Sequence, residues 1–240
     1  FSSLSVATLV MLERTFCWLH ITGILIFLNY LYYSKHLHIL LAFPNTYFQN
    51  LNPLGSFRNN KTVTEEVKLM MDPSADPYVA PAGNVVDKFG ASDVTDLNRI
   101  QLLNAYTCTE CGRCTDVCPA NQTGKKLSPR KIMMDTRDRL TEVGIHLENK
   151  EKKEVSDGKK LLDNYITREE LWACTSCNAC TEACPVDIDP LSIIMDMRQY
   201  LVMEESAAPS DLNAMMSNIE NNGAPWPFNN QDRLLWAQEN

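Results

Sequence analysis

Two runs decide how this chain is read: YTCTECGRCTDVCP (Tyr106–Pro119) and LWACTSCNACTEACP (Leu171–Pro185). Cys108, Cys111, Cys114 and Cys118 precede Pro119, and Cys174, Cys177, Cys180 and Cys184 precede Pro185. Both follow C-x2-C-x2-C-x3-C-P, the spacing that holds [4Fe–4S] clusters. Three closely spaced thiolates can reach three iron corners of one cubane. The fourth cysteine sits one residue further out, aimed away by the proline, and in two-cluster proteins it ligates the other cluster. The competing reading is a pair of structural zinc sites. Zinc takes four ligands in two knuckles, and a third cysteine at this spacing has no place in such a site.

The two runs sit in an internal repeat. The cysteines align at an offset of 66, as do Tyr106 with Trp172 and Thr115–Asp116 with Thr181–Glu182. Pro129, Ile132, Met134, Asp135, Arg137 and Leu140 align with Pro190, Ile193, Met195, Asp196, Arg198 and Leu201 at an offset of 61. A duplicated helix–loop–helix unit would place two clusters about a pseudo-twofold axis, as cross-ligation requires. Tyr106 and Trp172 read as packing beside the clusters rather than as electron relays. Thr167 with Glu170 forms a capping box, Ser128 caps Pro129 and Asp189 caps Pro190. Asp96 is expected to cap a helix carrying Leu97, Ile100 and Leu103 into the first run. Helical signals dominate the stretch between the runs, which predicts an all-helical cluster domain.

Outward from the runs, composition bounds the rest. The chain has 240 residues, a formal charge of −8 and nine cysteines, eight of them in the two runs. That usage leaves no disulfide framework and implies a reducing compartment. An acidic chain without a basic stripe is a poor nucleic-acid binder, so no nucleic-acid partner is expected. It begins at Phe1 rather than Met, so a processed chain or a piece of something longer is expected. Lys150–Lys160 mixes charges and reads as a solvated connector.

From Thr15 to Phe43 the only charged residue is Lys35. As one helix this stretch would extend about 43 Å, enough to cross a hydrocarbon core with some tilt. Pro44 is expected to end it. His20 and His38 lie 18 residues apart, which on one continuous helix is five turns and a shared face. Two inward-facing histidines stacked this way suit axial ligation of two b haems. The bland alternative is an interfacial His38, and a His20 bonded to a neighbouring helix. One helix cannot enclose a haem, so upstream or partner transmembrane helices are implied. The expected layout is 1–44 transmembrane helix, 45–90 extended linker with a short helix at Thr64–Met71, 91–207 cluster domain, and 208–240 tail. The tail is read as holding a helix near Leu212–Ile219, then Trp226 and Phe228 as aromatics that dock a partner or fold back.

From Leu102 to Glu205 the chain resembles the helical dicluster domain of heterodisulfide-reductase-like iron–sulfur oxidoreductases, carried by YTCTECGRCTDVCPA, LWACTSCNACTEACPV and MRQYLVMEE. NIENNGAPW in the tail is similar too. The resemblance implies one [4Fe–4S] cluster on Cys108, Cys111, Cys114 and Cys184, and a second on Cys174, Cys177, Cys180 and Cys118. The apolar stretch with YSKHLHI resembles the last helix of a nitrate-reductase-gamma-like cytochrome b domain, which implies haem b on His20 and His38. Together the two resemblances imply an all-α fold, a transmembrane helix leading into an α-helical ferredoxin-like dicluster domain. The function implied is a membrane-anchored electron-transfer subunit at the cytoplasmic (inner) membrane, with the iron–sulfur domain on the cytoplasmic side. It would connect a soluble CCG-domain or flavin-containing catalytic subunit with membrane quinone, menaquinone or ubiquinone. No acid–base or nucleophile constellation stands out, so no catalytic residue is named and catalysis is expected on a partner. Two alternatives remain open: a module taking electrons from an electron-transferring flavoprotein or hydroxy-acid dehydrogenase, and a structural or redox-sensing iron–sulfur protein.

Overall fold

The structure is a computed structural model and describes residues 5–57, 59–72, 88–148 and 157–237. Twelve α-helices are described, and no strand among the described residues: α1 (Val6–Leu31), α2 (Leu37–Tyr47), α3 (Lys61–Met71), α4 (Arg99–Thr107), α5 (Arg113–Asp116), α6 (Pro119–Gln122), α7 (Pro129–Glu148), α8 (Leu161–Asn164), α9 (Arg168–Ala173), α10 (Ala179–Glu182), α11 (Pro190–Met203) and α12 (Ser210–Asn222). The all-helical expectation holds, with one apolar N-terminal helix ahead of the cysteine-rich region. The chain forms two compact units, one of residues 1–57 and 93–193 and a second of 58–92 and 194–240.

The single helix expected from Thr15 to Phe43 is two helices. α1 begins earlier, where the Ser5 hydroxyl caps the amide of Thr8, and ends at Leu31. Ser34 explains the break. Its hydroxyl donates to the Leu31 carbonyl at 2.9 Å and accepts from the His36 amide at 3.2 Å. Such side-chain bonds offer the backbone an alternative to the helical ladder. Pro44 does not end the apolar stretch; it lies inside α2, which continues to Tyr47. The shared face of His20 and His38 falls with the single helix: His20 is on α1 and His38 on α2. α1 has no buried residue and is long and apolar enough to cross a membrane, by length and composition.

In the first unit α2 packs along α4, and α4 against α7. Ile132, Met133, Leu161, Ile166 and Leu171 are buried and form the apolar centre. Asp96 is not the cap of α4. It lies in a 3-10 turn (Val94–Asp96) entered from Asp93, and Asn98 caps α4 instead. The Asn98 carboxamide accepts from the Ile100 and Gln101 amides while Gln101 reaches back to the Asn98 amide. Asp93 is held in its turn by Arg139 of α7, which is fully buried. Arg139 also takes both carboxylate oxygens of Asp157 and the Lys159 carbonyl. The Lys150–Lys160 connector is therefore anchored at its described end; residues 149–156 lie outside the described part.

The second unit has buried Ile194, Met197 and Leu201 along α11. Residues 88–92 run against that helix: the Phe89 amide donates to Glu204 at 2.6 Å and the Ala91 amide to the Asp196 carbonyl at 3.0 Å. Gly90, at φ +72°, has no room for a side chain, since a Cβ would sit 2.2 Å from the Asp196 carbonyl oxygen and 2.4 Å from the Tyr200 nitrogen. Gly90→Ala is expected to cost more than about 1 kcal/mol and lower the melting temperature by at least ~3 °C. An unchanged thermal transition would show that this close approach does not exist. α3 covers the expected Thr64–Met71 and α12 the expected Leu212–Ile219. The linker expected from residue 45 starts later, since 45–47 belong to α2, and its part at 73–87 lies outside the described residues.

Candidate metal centres

Each run is entered from a helix end. α4 stops at Thr107, with the Cys108 amide bonded to the Asn104 carbonyl; α9 stops at Ala173, with the Cys174 amide bonded to Leu171. The Thr167–Glu170 capping box at the start of α9 is present. Two left-handed residues then turn each loop. They are Glu110 (φ 61°) and Gly112 (φ 88°) in the first run, and Ser176 (φ 54°) and Asn178 (φ 61°) in the second. A positive φ is uncommon outside glycine, and here it recurs at equivalent positions of the repeat. Turns of this kind point successive backbone N–H groups into one concavity, the geometry that receives anionic groups, iron–sulfur clusters among them. Short helices α5 and α10 follow and carry Cys114 and Cys180.

The repeat extends to the hydrogen bonds behind the loops. The Thr115 hydroxyl pairs with Ser128 at 2.9 Å, and the Thr181 hydroxyl donates to Asp189 at 3.3 Å. Ser128 and Asp189 cap α7 and α11, with the Lys131 amide reaching Ser128 and the Ser192 amide reaching Asp189. Each cysteine loop is thereby tied to the helix after it through matching residues.

Cys108, Cys111, Cys114 and Cys184 line one cavity of about 230 Å³, joined by Cys180. The fourth cysteine of the second run thus stands with the first three of the first. Cys174, Cys177 and Cys118 do not line this cavity, and Cys118 is buried. Burial pushes the Cys114 thiol up to about 11, and the neighbouring Cys108, Cys111 and Cys184 add to the rise. Burial likewise raises Cys108, and it takes Cys180 to about 12 with Cys174 adding to it. Thiols gathered and buried this way resist ionisation until a cation compensates them; metal binding does so and releases the protons. Among the described residues, no three His, Cys, Asp or Glu side chains converge closely enough for one ion. Sulfurs spread round a cavity suit a cubane, whose irons each take one thiolate, better than a zinc that needs all four at about 2.3 Å. The donor set, the concave loops and the cavity fit a [4Fe–4S] cluster.

The surroundings of this cavity were less legible in the sequence. Glu110 of the first loop pairs with Arg137 at 2.8 Å and with Lys35 at 3.5 Å, and the Arg137 bond holds its carboxyl below the usual range. His38 lines the cavity, with Nδ1 2.5 Å from the Lys35 carbonyl oxygen. The repeat alignment singles out Arg137, through Arg198, but not what it meets. His20 is exposed on α1.

Residues 107–188 match the family model of the 4Fe-4S dicluster domain. The chain is 32% identical over 92% of its length to the probable iron-sulfur-binding oxidoreductase FadF of Bacillus subtilis. It is 27% identical over its whole length to the EtfAB:quinone oxidoreductase of Syntrophomonas wolfei, and it spans 33% of each of these two relatives. It is also 28% identical, over 50% of its length, to one subunit of the ferredoxin/F(420)H(2)-dependent CoB-CoM heterodisulfide reductase of Methanosarcina acetivorans, of which it covers 60%. The chain therefore carries a 4Fe-4S dicluster domain and is homologous to iron–sulfur oxidoreductases.

Proposed function

We propose that this chain is the iron–sulfur electron-transfer part of a membrane-bound oxidoreductase. The observation that carries the reading is the convergence of Cys184 with Cys108, Cys111 and Cys114 on one cavity. In this reading those four hold one cluster, and Cys174, Cys177, Cys180 and Cys118 hold the other. When bound, the clusters supply one-electron redox chemistry. The chain's own residues bury the sulfurs, fix their spacing through the left-handed turns, and aim backbone N–H groups at the sites. α1 supplies the membrane anchor, with the iron–sulfur region on the cytoplasmic side. Catalysis belongs to a partner subunit. The name of the Syntrophomonas relative favours an electron-transferring flavoprotein as donor and a quinone as acceptor. The heterodisulfide reductase relative is one subunit by its name and favours a separate partner subunit instead, which in this reading is the CCG-type one.

The test is the full chain, reconstituted anaerobically with iron and sulfide. About eight irons per chain and two interacting EPR signals on reduction are expected, together with flotation on lipid vesicles. Zinc at about two per chain, with no EPR signal, would sink the reading. Haem b on His20 and His38 is a finer proposal, resting on two helices rather than one. Support comes from His38 Nδ1, engaged by a backbone carbonyl as in metal-ligating imidazoles. Reduced-minus-oxidised spectra of the complex should lose about half of the b-haem band with either His→Ala change. Bands untouched by both would remove haem from the proposal.

A further inference from the structure

α2 meets the metal-binding region at three places, in or beside one cavity. Just before its start, Lys35 Nζ lies 3.5 Å from Glu110, the residue beside Cys111 in the first loop. In its first turn His38 lines the cavity, and Ala42 lines it one turn later. Near its end the buried Asn45 donates to the Val186 carbonyl at 2.8 Å, two residues beyond Cys184. The helix is thus attached to both pieces of chain that converge there, the first loop and the segment bearing the fourth cysteine. Only residues 32–36 separate it from apolar α1.

The His38 ring is fixed in orientation. A carbonyl oxygen only accepts, so Nδ1 carries the proton and Nε2 is the nitrogen left free in the neutral ring. Lys35, whose carbonyl holds the ring, is itself paired with Glu110, so ring, backbone and cysteine loop form one connected unit. Polar groups and solvent access in the wall of an iron–sulfur site set the potential of the cluster it holds.

We propose that α2 walls the cavity of Cys108, Cys111, Cys114 and Cys184, which Cys180 of the other site also reaches, and that His38 is a positioning residue that tunes chiefly the cluster bound on those four. That makes this site the one more directly coupled through α2 to the membrane helix, since α2 is fastened to Glu110 and Val186 beside its cysteines. The proposal rests on reading the eight cysteines as two cluster sites.

The experiment is a potentiometric EPR titration of the full chain in lipid, with Cys111→Ser and Cys177→Ser marking which signal belongs to which run. His38→Leu is expected to shift the midpoint potential of the Cys111-marked cluster and leave the Cys177-marked one in place. His38→Gln, which keeps a polar head at the wall, is expected to undo most of that shift. A shift of the Cys177-marked cluster alone, of both alike, or of neither would overturn the proposal. So would loss of a b-haem band in His38→Leu with both cluster potentials unmoved. A nitroxide on Phe43→Cys, in a Cys17→Ser background, gives an independent reading that leaves His38 intact. Its relaxation should be enhanced by reduction of the Cys111-marked cluster first; enhancement by the other cluster alone overturns the proposal. Absence of both cluster signals from the unaltered chain is a different result: it removes the iron–sulfur reading and this inference with it.

Discussion

Cys184→Ala should remove the cluster of the first run, not that of its own run. The reason is spatial: Cys184 lines the cavity with all three of Cys108, Cys111 and Cys114, whereas of the other cysteines of its own run only Cys180 does so. Losing one of four thiolate ligands leaves an iron corner open to solvent, and the affected cluster is expected to be lost on purification. Iron content should fall by about half, since the two sites take equal shares. Double variants identify which half. Cys184→Ala with Cys111→Ala strikes the same site twice, so iron should stay near half. Cys184→Ala with Cys177→Ala strikes both sites, and iron should approach zero. The reverse pattern would place Cys184 with its own run and sink the cross-ligated arrangement. The complementary pair, Cys118→Ala with Cys177→Ala against Cys118→Ala with Cys111→Ala, should mirror it.

Arg139→Met is expected to give the largest loss of stability outside the cysteines, about 3 kcal/mol, because removing one partner leaves buried charges uncompensated. Arg139 is 1% exposed and holds Asp93 and Asp157 through paired hydrogen bonds at 2.6–3.0 Å. Both carboxylates keep some contact with solvent, which sets the figure at the lower end of the usual range for a broken buried pair. The arginine joins the Asp93 turn before α4, the middle of α7, and the chain that returns at Asp157–Lys160. All three precede a cysteine run, so cluster retention should fall along with the melting temperature. Acid acts on the same clamp. The hydrogen bonds from Arg139 hold the Asp157 carboxyl well below its ordinary value. A depressed carboxyl contributes stability that is fully present above the ordinary carboxylate range, and that stability is lost as pH falls below about 4. Asp157→Asn should flatten the acid limb of the stability–pH curve. An unchanged limb would show that the clamp carries little of it.

Much of the site was legible because it is local. The C-x2-C-x2-C-x3-C-P spacing, the offsets of 66 and 61, the Thr167–Glu170 capping box and the caps at Ser128 and Asp189 all lie within a few residues of what they act on. The repeat foretold more than the cysteines: its matched Thr115 and Thr181 make matched hydrogen bonds to the two caps. Where the reading went astray, a non-local or side-chain competitor decided. Asp96 looked like a cap for α4, but Arg139, 46 residues from Asp93, holds the preceding turn so that Asn98 starts the helix. Hydropathy from Thr15 to Phe43 dips at Tyr32–His38, YYSKHLH, and the break falls in that dip; the one-helix reading ran through it. Within it the Ser34 hydroxyl ends the ladder, a side-chain role that composition does not specify.

By itself the sequence determined the chemistry and its multiplicity: eight thiols in two equivalent loops, an all-helical frame around them, and an apolar helix ahead. These come from spacing and periodicity, which act along the chain. Only the tertiary structure decided that Cys180 joins Cys108, Cys111, Cys114 and Cys184 at one cavity, that His38 stands in its wall, and that α2 is fastened to Val186 across 141 residues of chain. Those contacts join segments whose separation leaves no periodic trace. They exist because burying α4, α7 and the two loops together brings their ends to one place, and no residue in the sequence records where its distant neighbour will be.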